Sequence, residues 1–153
     1  MDTIIGDKMH CIEIYKINPS ELNPEIDLDS QEFSDKITAL VDPVIDLYVN
    51  KYRLPKVARG WKIVENVSSE ESDINVDDIR EEQSVYTVKV FLNSDFTGGD
   101  IQFIHRDFAA NVSPGDVLIY PSSYINAYKV MPVTSGSQKY LVNKYRFPGT
   151  AEG

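Results

Sequence analysis

Histidine and cysteine are scarce in this chain. Its 153 residues include two histidines, His10 and His105, and one cysteine, Cys11. A single cysteine excludes an intrachain disulfide and a cysteine-built metal site; its simplest role is that of a small buried residue. Basic residues are also in the minority, with 15 Lys and Arg against 24 Asp and Glu and a formal net charge of -9. Phosphate recognition rests on Lys and Arg, so this balance disfavours nucleic acid and anionic membrane as partners. No apolar run approaches the roughly 18–20 residues that span a bilayer. Met1 to Lys8 lacks a basic patch followed by an apolar core, so secretion through a signal peptide is not expected. Internal repeats and low-complexity tracts are absent as well.

What remains is an ordinary globular composition, 42% hydrophobic and 25% charged. The length suits one domain with a substantial core, here read as residues 1–153. Cys11 to Ile17 reads as an opening strand, closed by Asn18-Pro19-Ser20. From Ser30 the period changes. Phe33, Ile37, Leu40, Val41, Val44, Ile45 and Tyr48 recur at spacings of three and four, which defines one apolar face of a helix ending near Tyr52. Pro43 lies inside that pattern, and Asp42 is placed to cap a second segment, so two helical pieces or one kinked helix are expected.

After Gly60 the chain reads as short strands separated by Gly and Pro turns. Trp61–Val64, Tyr86–Leu92, Ile101–Ile104, Val117–Tyr120 and Lys139–Tyr145 are the candidates. Tyr86, Val88, Val90 and Leu92 alternate and so share one face. The acidic stretch from Glu65 to Glu82 reads as a solvated loop, and Trp61 and the nine tyrosines as core and rim packing, with a contact surface as the alternative for the cluster Tyr120, Tyr124 and Tyr128. A helix followed by a run of strands gives an α+β class. An N-terminal strand and helical region (1–58) would pack on a β core (59–147), with a tail at 148–153.

Three stretches stand out, Val88 to Phe103, Val112 to Ser122 (VSPGDVLIYPS) and Tyr128 to Gly136 (YKVMPVTSG), and together they resemble prolyl-4-hydroxylase-like 2-oxoglutarate/Fe(II) dioxygenases. Val88 to Phe103, reading VKVFLNSDFTGGDIQF, is similar to the family's YLN-x-x-F-x-GG-x-L-x-F segment. Val112 to Ser122 is similar to its V-x-P-x-x-G-x-x-[LIV]-[LIV]-F-P-S segment, and Tyr128 to Gly136 to its H-x-V-x-P-V-T-x-G segment. They come in family order and spacing, and the resemblance covers about Trp61 to Tyr145. It looks most like small phage-encoded members. It implies a double-stranded β-helix, or jelly roll. Gly98, Gly99, Pro114, Gly115, Pro132 and Gly136 are the turn residues that carry this fold, not the chemistry.

The chemistry of that family needs two His and one carboxylate on one iron. The resemblance places the first His and the carboxylate at Asn75-Val76-Asp77 and the distal His at Tyr128. Only Asp77 keeps the expected residue type. A neutral amide and a phenol with an ordinary pKa of about 10 do not replace imidazoles for Fe(II) at neutral pH. His105-Arg106-Asp107 also spells His-x-Asp, but it falls one strand too late and lacks a second His. The cosubstrate position, Arg or Lys in the family, falls on Gln138 without a gap or on Lys139 with one. A one-residue slip turns a strand side chain to the opposite face, so only one of the two can point inward.

The expectation is therefore a non-catalytic oxygenase-like module with a structural or protein-interaction role. A phage virion or assembly protein would fit, cytoplasmic or virion-associated, working through a protein partner or self-assembly. No metal and no cofactor are expected. Two alternatives stand beside it. One is an active hydroxylase using Fe(II) and 2-oxoglutarate with an atypical metal set. The other is a metal-free binder of small dicarboxylates.

Overall fold

The computed structural model describes residues 5–7, 11–18, 31–58, 60–67, 70, 75, 84–106, 108–123 and 126–146. It is mostly β-sheet with one helix. In chain order the elements are β1 (Ile5–Asp7), β2 (Ile12–Lys16), α1 (Gln31–Tyr52), β3 (Val57–Ala58), β4 (Lys62–Asn66), β5 (Tyr86–Phe91), β6 (Phe96–Gly98), β7 (Ile101–Phe103), β8 (Phe108–Ala110), β9 (Asp116–Pro121), β10 (Tyr128–Val130), β11 (Val133–Gly136) and β12 (Gln138–Arg146).

The largest sheet runs β1-β2-β9-β5-β12, with β3 and β4 both paired to β12. β4 lies along Gln138–Val142 and β3 along Tyr145–Arg146. Every pairing is antiparallel. A second sheet runs β10-β7-β8, and β11 pairs with β6. The opening strand does not merely rest on the β core, as expected, but is hydrogen-bonded into the main sheet beside β9.

The central strands of the main sheet, β2, β9 and β5, are buried on both faces, and strand alternation sorts the residues of the sheet between two apolar clusters. Toward α1 point Tyr15, Val88, Val90, Val117, Ile119 and Leu141. They meet the helix face of Phe33, Ile37, Val41, Val44, Ile45, Tyr48 and Val49. Burial of each such side chain is worth about 1.5–3 kcal/mol. Toward the second sheet point Ile12, Ile14, Phe91, Leu118, Tyr120 and Tyr140, which meet Ile101, Phe103 and Tyr128.

The helix is continuous through Pro43, so of the two expected alternatives the one with two separate pieces is set aside. Pro43 and Ala39 both lie on the exposed side. The Ala39 carbonyl that loses its i→i+4 donor can therefore be hydrated, and the buried face runs on uninterrupted. Asp42 does not cap a second segment; it pairs with Lys56 at 3.3 Å. The helix ends in a Schellman geometry: Arg53 takes a φ of 54° and the Leu54 N–H donates to the Val49 carbonyl at 3.0 Å. Buried Glu13 on β2 ties this end to the sheet. It accepts from the Lys51 ammonium at 2.8 Å, from the Tyr15 hydroxyl at 2.5 Å and from the Tyr52 hydroxyl. Trp61 adds a second tie, its Nε1–H donating to Thr38 Oγ1 at 3.1 Å.

Two smaller expectations also change. Cys11 is half-buried in the turn before β2, with a φ of 64°, and is not a strand residue. Strands β3, β6, β8, β10 and β11, of two to four residues each, carry too few side chains to show a period of two and were not foreseen. No helix among the described residues is long and apolar enough to cross a membrane.

Candidate functional site

Of the residues singled out by sequence, Tyr128 and Gln138 are buried, and Asn75 is the backbone partner of Tyr128. Tyr128 opens β10 and pairs on one side with Phe103 of β7. On its other side it pairs with Asn75. The Asn75 N–H donates to the Tyr128 carbonyl at 2.7 Å, and the Tyr128 N–H donates back at 2.9 Å. Such a reciprocal antiparallel pair puts both side chains on the same face of the ladder, near enough to share a ligand. Two positions 53 residues apart in sequence are thus direct neighbours. Asn75 is exposed and Tyr128 is buried. Asp77, His10, Asp107 and Tyr124 lie outside the described residues.

Tyr120 and Tyr128 follow the core-packing reading and not the alternative of a contact surface. Both rings are buried between the sheets, 5.9 Å apart and edge-on, with Phe103 at 5.2 Å and 6.1 Å from them. Apolar neighbours above and below β9 and β10 draw these rings inward, which sequence proximity alone does not reveal.

Sequence reasoning missed Lys89. It stands in β5, hydrogen-bonded between β9 and β12, and is only 2% exposed. Its Cα partners are Leu118 and Val142. Because Val88 and Val90 face the helix, Lys89 must face the second sheet. Its ammonium lies 3.9 Å from the centre of the Tyr128 ring, 5.4 Å from that of Tyr120 and 5.5 Å from that of Tyr140. Three rings from three strands therefore surround one cation. The negative π-face of each ring attracts it, and burial strengthens that attraction. A signal was available: a lysine in the middle of a strand apolar on its other face, in a protein where such strands are central.

The ambiguity between Gln138 and Lys139 resolves in favour of Gln138. Gln138 is buried on the face of β12 that also carries Tyr140, and its Nε2 donates to the Gly99 carbonyl at 3.1 Å. Its Oε1 is buried and accepts no hydrogen bond. Lys139 points to the other side, opposite Glu65 of β4, with Nζ 4.0 Å from the Glu65 carboxylate. The inward side chain at this position is a neutral amide, without the fixed positive charge that holds a distal carboxylate in the resembling family.

His105 is exposed in the turn after β7, and the neighbouring Arg106 Nε–H donates to Asn126 Oδ1 at 3.1 Å. Among the described residues no group of three His, Cys, Asp or Glu side chains could hold a metal ion. The donor chemistry at positions 75 and 128 does not fit a two-His, one-carboxylate iron site. One offers an amide, the other a phenol whose ring is already engaged by an ammonium.

The turn residues keep their expected geometry. Gly98, Gly99, Gly115 and Gly136 all have positive φ, between 70° and 92°. Gly98 also has no room for a side chain: a Cβ there would come inside 3.0 Å of the Pro132 carbonyl oxygen across the β6–β11 pair.

Neither a family model nor a curated protein matches this sequence. Solved structures do match by fold. A prolyl-4-hydroxylase from Pseudomonas putida superposes with a TM-score of 0.64 and 16% identity, covering 83% of this chain and 73% of that one. The viral collagen prolyl hydroxylase of Paramecium bursaria Chlorella virus-1, in a truncated form, gives 0.64 at 13% identity and covers 94% of both chains. A 2OG-Fe(II) oxygenase-family oxidoreductase from Burkholderia pseudomallei gives 0.62 at 15% identity, covering 88% of this chain and 66% of that one. The chain therefore shares the fold of prolyl-4-hydroxylase-like 2OG-Fe(II) oxygenases.

Proposed function

We propose that this protein is a non-catalytic form of that fold, a double-stranded β-helix kept as a structural or protein-interaction module. One observation carries the reading. Asn75 and Tyr128, the positions that the resemblance assigns to the two imidazoles, are cross-strand partners. That closeness is what a shared metal would require, so the assignment is supported while the ligands themselves are absent. The turns that make the fold are kept, and function resides in the site rather than in the scaffold. A role in a virion or its assembly, through self-association or a protein partner, suits a scaffold that has lost its chemistry. The viral member among the similar structures is in keeping with this.

The test is anaerobic addition of Fe(II) and 2-oxoglutarate to the purified protein. The expected result is no visible charge-transfer band. A band forming with micromolar affinity and lost in Asp77→Ala would establish the active hydroxylase instead. 2-Oxoglutarate without metal should leave the melting temperature unchanged. A shift at millimolar ligand would favour the dicarboxylate binder, which the neutral Gln138 argues against. Light scattering on the same sample reports self-association, and a strictly monomeric protein that retains no partner on purification from its native source would weigh against the structural role.

A further inference from the structure

We infer that Lys89 is a built-in cation that excludes divalent metal from the space between the sheets. Restoring imidazoles at positions 75 and 128 would then not restore metal binding while Lys89 is present. The inference rests on the reading that these are the former ligand positions.

Three observations lead to it. First, the charge is in the right place. The Lys89 ammonium lies 3.9 Å from the ring centre of Tyr128, the side chain at the distal position. An imidazole put there would direct its metal into the interior that already holds this ammonium. Second, the charge is fixed. β5 is paired on both edges, so the Lys89 backbone cannot shift, and the rings of Tyr120, Tyr128 and Tyr140 enclose the end of the side chain. Third, the charge is shut off from water. Lys89 is 2% exposed, and like charges brought together away from water repel far more strongly than at a surface.

Tyr128 and Lys89 therefore act as one device. The phenol removes a ligand and supplies the π-face that holds the ammonium, and the ammonium opposes any other cation. Loss of the metal site is thus not only loss of donors, because a positive charge has been installed in its place.

The experiment compares Co(II) binding by chelator-stripped protein in equilibrium dialysis. It uses Asn75→His/Tyr128→His, the same pair with Lys89→Met, and Lys89→Met alone. Methionine keeps most of the length and apolar volume of the lysine stem; Lys89→Gln in the same background serves if the methionine variant does not fold. Near-ultraviolet circular dichroism establishes that each protein retains its packed aromatic core. The expected result is Co(II) binding at least tenfold tighter in the triple variant than in the double. Equal, measurable binding by double and triple variants would overturn the role of Lys89 and leave the ligand positions standing. Binding by the folded triple variant no tighter than by Lys89→Met alone would overturn the ligand positions, and the inference with them.

Discussion

Gly98→Ala should unfold this protein more readily than Gly60→Ala, although both glycines have positive φ. Gly60 has a φ of 121° and nothing within 4 Å of the site of an added Cβ. Alanine there meets only backbone strain, about 1–3 kcal/mol. Gly98 has a φ of 92°, and its added Cβ would press on the Pro132 carbonyl oxygen, a backbone atom. That oxygen cannot rotate aside like the end of a flexible side chain, and it also accepts from the Gly99 N–H at 3.1 Å. Overpacking adds about 1–3 kcal/mol to the strain, and this addition is the quantity that distinguishes the two variants. In a domain of this size 1 kcal/mol moves the melting temperature by roughly 2–4 °C, so Gly98→Ala should melt roughly 2–12 °C below Gly60→Ala. Thermal and urea unfolding, followed by circular dichroism, measure both. Equal destabilisation of the two variants would show that the β6–β11 pair opens without cost, and the steric argument would fail.

Two further outcomes follow from the helix side of the sheet. Thr38→Val removes the acceptor of the Trp61 indole N–H and should lower stability by about 0.5–1.5 kcal/mol, read from urea unfolding by the emission of this single tryptophan. An unchanged midpoint would mean that the indole finds water equally well. Stability should also fall at alkaline pH. Burial, foremost, pushes the phenols of Tyr48, Tyr86 and Tyr145 well above their ordinary value. Neighbouring acidic groups add to this, with Tyr52 and Glu13 beside Tyr48 and Asp46 beside Tyr86 and Tyr145. The unfolded chain ionises its tyrosines near pH 10 while the folded one keeps these three protonated, so their stabilisation is complete below about pH 10 and is lost as the pH rises above it. Urea midpoints between pH 9 and 12, with phenolate absorbance recorded alongside, check this; a flat profile would contradict it.

Much of the helix side was legible in the sequence. Phe33, Ile37, Val41, Val44, Ile45 and Tyr48 announce their shared face by spacing alone, and all six are buried. That one helix runs through Pro43, where the sequence left two pieces equally open, has a local cause. A proline costs one hydrogen bond, but whether the helix yields depends on whether the freed carbonyl meets water or protein, and here it lies on the exposed side. The strands around the candidate site were harder. Phe96–Gly98 and Tyr128–Val130 are three residues each and exist because partners from distant parts of the chain pair with them, while the equally short Phe108–Ala110 pairs with the strand just before it.

The site divides along the same line. Which residue types stand at positions 75, 128 and 138 is a property of the sequence, and the ordered motifs pointed to Tyr128 while leaving Gln138 and Lys139 as alternatives. Alternation within β5 likewise placed Tyr86, Val88 and Val90 together, and so put Lys89 on the opposite face. Only the tertiary structure decided what that opposite face meets. A second sheet covers it, so a lysine that could have been a solvated side chain is a buried cation against Tyr128. The same covering turns Gln138 inward and leaves Lys139 to Glu65. Periodicity records which side chains share a face, because that is set by backbone geometry within one strand. Whether the face is wet or dry is set by elements far away in sequence, and that is where the charge at this site acquires its meaning.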